Sequence, residues 1–164
     1  MPNNLPKVYL ETTVVSYLTA RPHRDIVVAG HQQSTRDWWE TARNRFDVYT
    51  SELVVQEASR GDPVAAQERL TILQSLPELK ITVESLEFAK DFVTIGAIPP
   101  GVMNDAVHLA IAALNGIQYL VTWNCAHLAN PQVYPKIVSA CRAAGWLAPA
   151  ICTPDVLMEN LDVD

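Results

Sequence analysis

The stretch Lys7-Val-Tyr-Leu-Glu-Thr-Thr-Val-Val-Ser16 decides the fold. Its first four residues, Lys7 to Leu10, read as a short buried strand, and Val14 to Leu18 reads as a short helix. Glu11 stands between them, where the strand ends and the chain turns. Ligands of open α/β sheets bind in the crevice outside the carboxyl ends of the strands, so an acid at this point is a candidate ligand. Thr12 or Thr13 can cap the helix through its hydroxyl. Taken singly, Glu11 is either such a ligand or a surface carboxylate.

Outward from this stretch, short apolar runs alternate with longer helical patterns. Strands are expected at Phe46 to Tyr49, Leu79 to Val83, Ile117 to Thr122 and Ala150 to Thr153, each short, rich in β-branched or aromatic residues and flanked by turn formers. Helices are expected at Asp25 to Asn44, Glu52 to Arg60, Val64 to Leu76, Leu86 to Ile95, Asp105 to Asn115 and Val133 to Ala144, the third opened by Pro63 and closed by Pro77. Helices this frequent cover both faces of a sheet. The class is therefore α/β, a three-layer α/β/α sandwich around a central parallel sheet of about five strands. No repeat, low-complexity run or long linker divides the 164 residues, so residues 1–164 read as one domain.

Composition sets limits on function. With 49% hydrophobic and 18% charged residues, the chain has the makings of a substantial core. It shows neither the charged head and apolar run of a signal peptide nor a stretch approaching the roughly 20 apolar residues that span a bilayer, and it reads as soluble and cytoplasmic. Three cysteines, Cys125, Cys141 and Cys152, without CxxC spacing argue against a disulfide framework or a zinc knuckle. A net charge of −6 disfavours a broad, sequence-blind grip on a polynucleotide backbone. It does not exclude a nuclease, because a metal site gathers its own carboxylates. Arg21, Arg24, Arg36, Arg43, Arg45 and Arg60 form either a local basic rim or ordinary solvated helix faces.

Three more polar groups fall where burial makes them informative. Ser51 looks like an N-cap, and helical spacing then puts Glu57 on the same face as Leu53 and Val54. Glu52 lies in the first turn, where the helix dipole accounts for it. Asn104 can cap the almost wholly apolar helix that follows, leaving Asp105 in its first turn and in line with Leu109 and Ala112. His108 sits one turn on, either orienting a site group or buried as a core histidine. Asn124 follows the strand ending at Thr122. His127 has no second His or Cys at metal spacing and reads as a loop or packing residue. A carboxylate on an apolar face needs a cation, a hydrogen-bond partner or a proton. Several such groups together suggest a divalent cation.

At these residues the chain resembles the PIN domain family, the fold of VapC-type toxins and other metal-dependent ribonucleases. Val8-Tyr-Leu-Glu-Thr-Thr-Val-Val-Ser16 looks like the family's opening strand and acidic turn, and Ser51-Glu-Leu-Val-Val-Gln-Glu57 like its second acidic helix. Asn104-Asp105-Ala-Val-His-Leu-Ala is similar to its third acidic position, and Leu120-Val-Thr-Trp-Asn124 to its last strand and fourth position. The match spans roughly residues 7 to 130, with the tail supplying a strand and a short helix after Pro154.

The resemblance implies an endoribonuclease that cuts single-stranded RNA with Mg²⁺ or Mn²⁺, the toxin of a toxin–antitoxin pair, with a cognate antitoxin as partner and a homodimer as assembly. It implies Glu11, Glu57, Asp105 and Asn124 as the catalytic and metal-holding residues, with Thr12, Thr13 and His108 positioning water or a phosphate oxygen. Two positions depart from the pattern: Glu11 and Asn124 stand where the family usually has Asp. Asn124 lowers the quartet's formal charge from −4 to −3, which favours one ion over two. The alternative is a catalytically weakened PIN scaffold that binds RNA or protein. Adjacent Trp38 and Trp39 diverge by roughly 100° on a helix, so burying both calls for a second surface or for core packing of each.

Overall fold

The computed structural model describes residues 4–159; residues 1–3 and 160–164 lie outside this description. Strands β1 (Lys7–Leu10), β2 (Asp47–Ser51), β3 (Glu78–Leu79), β4 (Tyr119–Val121) and β5 (Ala150–Cys152) form one parallel sheet in the order β3-β2-β1-β4-β5. The order reverses at β1, which has β2 on one side and β4 on the other. A crevice opens at such a switch point, beyond the carboxyl ends of the strands.

Strand β1 shows why both faces are covered. Val8 and Leu10 point into a core with Val14, Trp38, Val48 and Val121, while Tyr9 points into the larger core on the opposite face. This is the two-residue alternation of a strand. The large core is built from α3 (Glu52–Ala58), α4 (Pro63–Leu73), α5 (Val83–Thr94), α6 (Met103–Leu114) and α7 (Tyr134–Ala143). The smaller one lies under α2 (Ile26–Thr41), and α1 (Thr12–Thr19) gives Val14 to one core and Val15 to the other. The result is the expected three-layer α/β/α sandwich. Phe92 is fully buried in the large core, where truncation to Ala would cost about 3–5 kcal/mol. No helix among the described residues is long and apolar enough to cross a membrane.

Local chemistry explains where the elements depart from expectation. Strand β3 covers Glu78–Leu79 rather than running to Val83, because Thr82 and Ser85 form a reciprocal capping box that starts α5 at Val83. Helix α2 ends at Thr41 and passes through a 3₁₀ turn at Arg43–Arg45, so β2 begins at Asp47 and reaches Ser51. Asn104 does not cap α6. A 3₁₀ turn at Pro100–Val102 leads into it and places Asn104 inside the helix. The cap of α1 is Glu11, whose carboxylate accepts the Thr13 N–H, and not Thr12 or Thr13. The tail forms β5 and a 3₁₀ turn at Pro154–Leu157.

Two arginines of the supposed basic rim have structural partners. Arg45 donates to the carbonyls of Leu157 and Met158, tying the tail to the start of β2. Arg43 lies over the ring of half-buried Trp39 at 4.0 Å, while Trp38 is fully buried, so the tryptophan pair needs no second molecule. Glu52 does more than face a helix dipole: it accepts the Ile81 N–H and pairs with Lys80, linking α3 to the segment after β3.

Candidate metal centre

Three strand ends and two helices deliver the site. Glu11 follows β1, Ser51 ends β2 and caps α3 through its Oγ, and Asn124 follows β4. Glu57 lies on α3, and Asp105 and His108 lie one turn apart on α6. Glu11, Glu57 and His108 bring potential ligand atoms within 4.8 Å of one another. Asp105 falls outside this group and pairs instead with Asn124, whose amide Nδ2 donates to Asp105 Oδ2 at 3.2 Å.

Each carboxylate divides its two oxygens in the same way. Glu11 Oε2 accepts from the Thr13 N–H, the Thr13 hydroxyl and the Thr122 hydroxyl. Glu57 Oε1 accepts from the Thr12 hydroxyl at 2.7 Å and faces His108 Nε2 at 2.6 Å. Asp105 Oδ2 takes the Asn124 amide and lies 3.1 Å from His127 Nδ1. The second oxygens of Glu11 and Asp105, Oε1 and Oδ1, accept no hydrogen bond from the described residues, and Glu57 receives beyond its two Oε1 partners only a weaker contact from the Asn104 amide. One oxygen is anchored and the other is open.

Electrostatics follow from these partners. Burial by itself raises the Glu57 carboxyl, but its partners, the His108 hydrogen bond foremost and then those of Thr12 and Asn104, outweigh it and hold the group below its usual range. Glu57 is therefore ionised at neutral pH. The Tyr9 phenol goes the other way: burial, added to by Glu11 and Glu57 and partly offset by Ser51, pushes it well above its ordinary value. It remains a hydroxyl donor.

Thr12, Thr13 and His108, expected to position water or phosphate, turn their polar atoms to the carboxylates. Asn124 is engaged at both ends. Its Oδ1 accepts the His127 N–H at 3.0 Å while its amide donates to Asp105, which fixes the amide orientation. His127 and Thr122 bond side chains of the candidate site although the sequence does not mark them. Without a second His or Cys at metal spacing His127 reads as a loop or packing residue, whereas its partner is Asp105. The signal was Asn124 itself, which folds the following turn back onto the site. Thr122 donates to Glu11 and accepts the Asn124 N–H, a role that strand patterning does not mark.

No protein-family model matches the chain, and no curated protein matches it. Solved structures do. VapC20 of Mycobacterium tuberculosis, a sarcin-ricin loop cleaving toxin, is similar with a TM-score of 0.59 at 17% identity, over 85% of this chain and 96% of that one. VapBC2 from Rickettsia felis, bound to a DNA fragment from their promoter, is similar with a TM-score of 0.54 at 17% identity, over 73% of this chain and 89% of that one. The switch point at β1, the acids gathered beyond it and these two likenesses agree: the chain has the VapC-like PIN fold that its motifs resemble.

Proposed function

We propose that this chain is a Mg²⁺- or Mn²⁺-dependent endoribonuclease that cuts single-stranded RNA, and that it acts as the toxin of a toxin–antitoxin pair. The observation that carries this reading is the division of labour within Glu11, Glu57 and Asp105, each with one oxygen anchored by protein donors and one left open. Hard, anionic oxygens without protein partners are the donor set that Mg²⁺ and Mn²⁺ take. The residues therefore fit a cation, and three carboxylates with one neutral amide fit a single ion better than two. When bound, it supplies the positive charge that activates a water and offsets the charge of the scissile phosphate.

The chain's own side chains prepare that chemistry. Thr12 and His108 hold Glu57, while Thr13 and Thr122 hold Glu11. Asn124 holds Asp105 through its amide, and the second lone pair of its Oδ1 remains for direct or water-mediated ligation. An RNA substrate is supported by the fold neighbour that cleaves the sarcin-ricin loop, and an antitoxin partner by the neighbour solved as VapBC2. A cytoplasmic homodimer completes the reading.

The test is cleavage of a labelled single-stranded RNA by the purified chain with Mn²⁺ and with EDTA, beside calorimetric titration of Mn²⁺ into the metal-free protein. Cleavage that needs the ion, and a stoichiometry of about one by the charge argument, are expected. RNA cut equally well in EDTA would refute the metal mechanism. Metal binding with intact RNA would instead identify a binding scaffold.

A further inference from the structure

Behind Glu57 runs a line of side chains that lies away from the open oxygens. Ser51 Oγ is 2.7 Å from the Tyr9 hydroxyl, that hydroxyl is 2.6 Å from His108 Nδ1, and His108 Nε2 is 2.6 Å from Glu57 Oε1. Ser51, Tyr9 and His108 are each 0% exposed. The line joins the end of β2, the middle of β1 and the helix α6 to the acid on α3.

One backbone group sets its direction. The Val54 N–H donates to Ser51 Oγ at 3.1 Å, so Ser51 accepts there, and Tyr9 is its other partner among the described residues. Ser51 must then give its own hydrogen to the Tyr9 oxygen. Tyr9 has one hydrogen and passes it to His108 Nδ1, which has to be bare to accept it. The ring proton therefore sits on Nε2, against Glu57. In the reverse sense Ser51 would accept from Val54 and Tyr9 together, and its hydrogen would have no acceptor in a fully buried site.

We propose that Tyr9 is a positioning residue, with Ser51 setting the sense of its hydrogen: it donates to His108 Nδ1 and so, with Glu57 on the other nitrogen, holds the ring in place in the Nε2–H tautomer, so that the imidazole anchors Glu57 Oε1 and leaves Oε2 to the cation. The part concerning the cation rests on the ribonuclease reading; the tautomer does not. His108 acts on Glu57 as an outer partner of a ligand, which orients the carboxylate and preserves its charge. Tyr9 acts one step further out, through the ring. Nothing in the line touches substrate, so its effect belongs to metal affinity.

The experiment uses the full chain in two measurements. Long-range ¹H–¹⁵N spectra of the metal-free protein near pH 7 read the tautomer of His108 directly, its signals assigned by their loss in His108→Gln. The Nε2–H form is expected in the wild type, and in Tyr9→Phe the same form with its Nδ1 resonance displaced by loss of the Tyr9 hydrogen bond. Calorimetry with Mn²⁺ alone should show Tyr9→Phe binding about tenfold more weakly, at the low end for outer partners of a metal ligand. A wild-type His108 that carries its proton on Nδ1, or on both nitrogens, overturns the proposal even if Tyr9→Phe does not fold. So does a folded Tyr9→Phe with an unchanged Nδ1 resonance and unchanged Mn²⁺ affinity. A wild type that binds no Mn²⁺ defeats the ribonuclease reading instead, while the spectra still decide whether Tyr9 governs the ring.

Discussion

Thr122 donates its hydroxyl hydrogen to Glu11 Oε2 at 2.7 Å and accepts the Asn124 N–H at 2.9 Å, so one buried side chain joins the acid after β1 to the turn after β4. Thr122→Val keeps the shape and removes both bonds. Leaving the half-buried Asn124 N–H and the buried Glu11 carboxylate without this partner should cost about 1–3 kcal/mol in urea unfolding. The same variant should weaken Mn²⁺ binding, because Glu11 then loses one of three anchors. Unchanged stability would mean that Thr122 is spectator packing.

Asp105→Asn preserves shape and removes one of the three negative charges. Cleavage of single-stranded RNA should fall on the order of 100-fold or more, the scale of losing one major transition-state electrostatic contact. Asn124 and His127 still find a polar partner in the new amide, so thermal unfolding should move little. Wild-type rates in this variant would remove Asp105 from the mechanism.

Asn124→Asp tests the departure at the fourth position. In the metal-free protein it replaces a donor to Asp105 with a like charge, and the fold should lose about 1 kcal/mol. Added Mn²⁺ should more than restore that loss, because the extra charge tightens ion binding and a ligand that binds only the folded state stabilises it. Thermal melts of both proteins with and without Mn²⁺ read the difference. A variant that cuts RNA where the wild type does not would identify Asn124 as the reason for an inactive scaffold.

The cysteines give a prediction free of the metal question. Burial raises the Cys141 thiol from 9.0 to about 11, and burial with the Asp155 charge raises Cys152 to about 12, while Cys125 is exposed. At pH 8 about one part in a thousand or less of either raised thiol is thiolate, so a thiol reagent on the native chain should label Cys125 first and the other two only on unfolding. The folded state holds these protons more tightly than the unfolded chain. Stability is thus intact below pH 9 and should fall as pH rises through the raised values. A melting temperature that rises across that range would contradict the assignment.

Glu57 and Asp105 stand out in the sequence because each sits on a periodic helix. Glu57 shares a face with Leu53 and Val54, and Asp105 opens an apolar helix, so burial showed in the spacing. Their anchors were not readable. Tyr9 lies in β1 and Thr122 just past the end of β4, where alternation tells which face a residue takes but not which distant side chain it meets; Tyr9 and His108 are 99 positions apart. The overlong β3 has a different cause. β-branched Ile81, Thr82 and Val83 favour a strand, and the Thr82–Ser85 capping box overrides that preference with hydrogen bonds.

The outer strands of the sheet are short: β3 has two residues and β5 has three. Such brief margins offer few free peptide groups in a row, and a neighbouring chain gains little by pairing with them. Growth of the sheet from one molecule into the next is thereby discouraged. Short margins of this kind favour recognition through the side chains of helices and loops, where it can be selective.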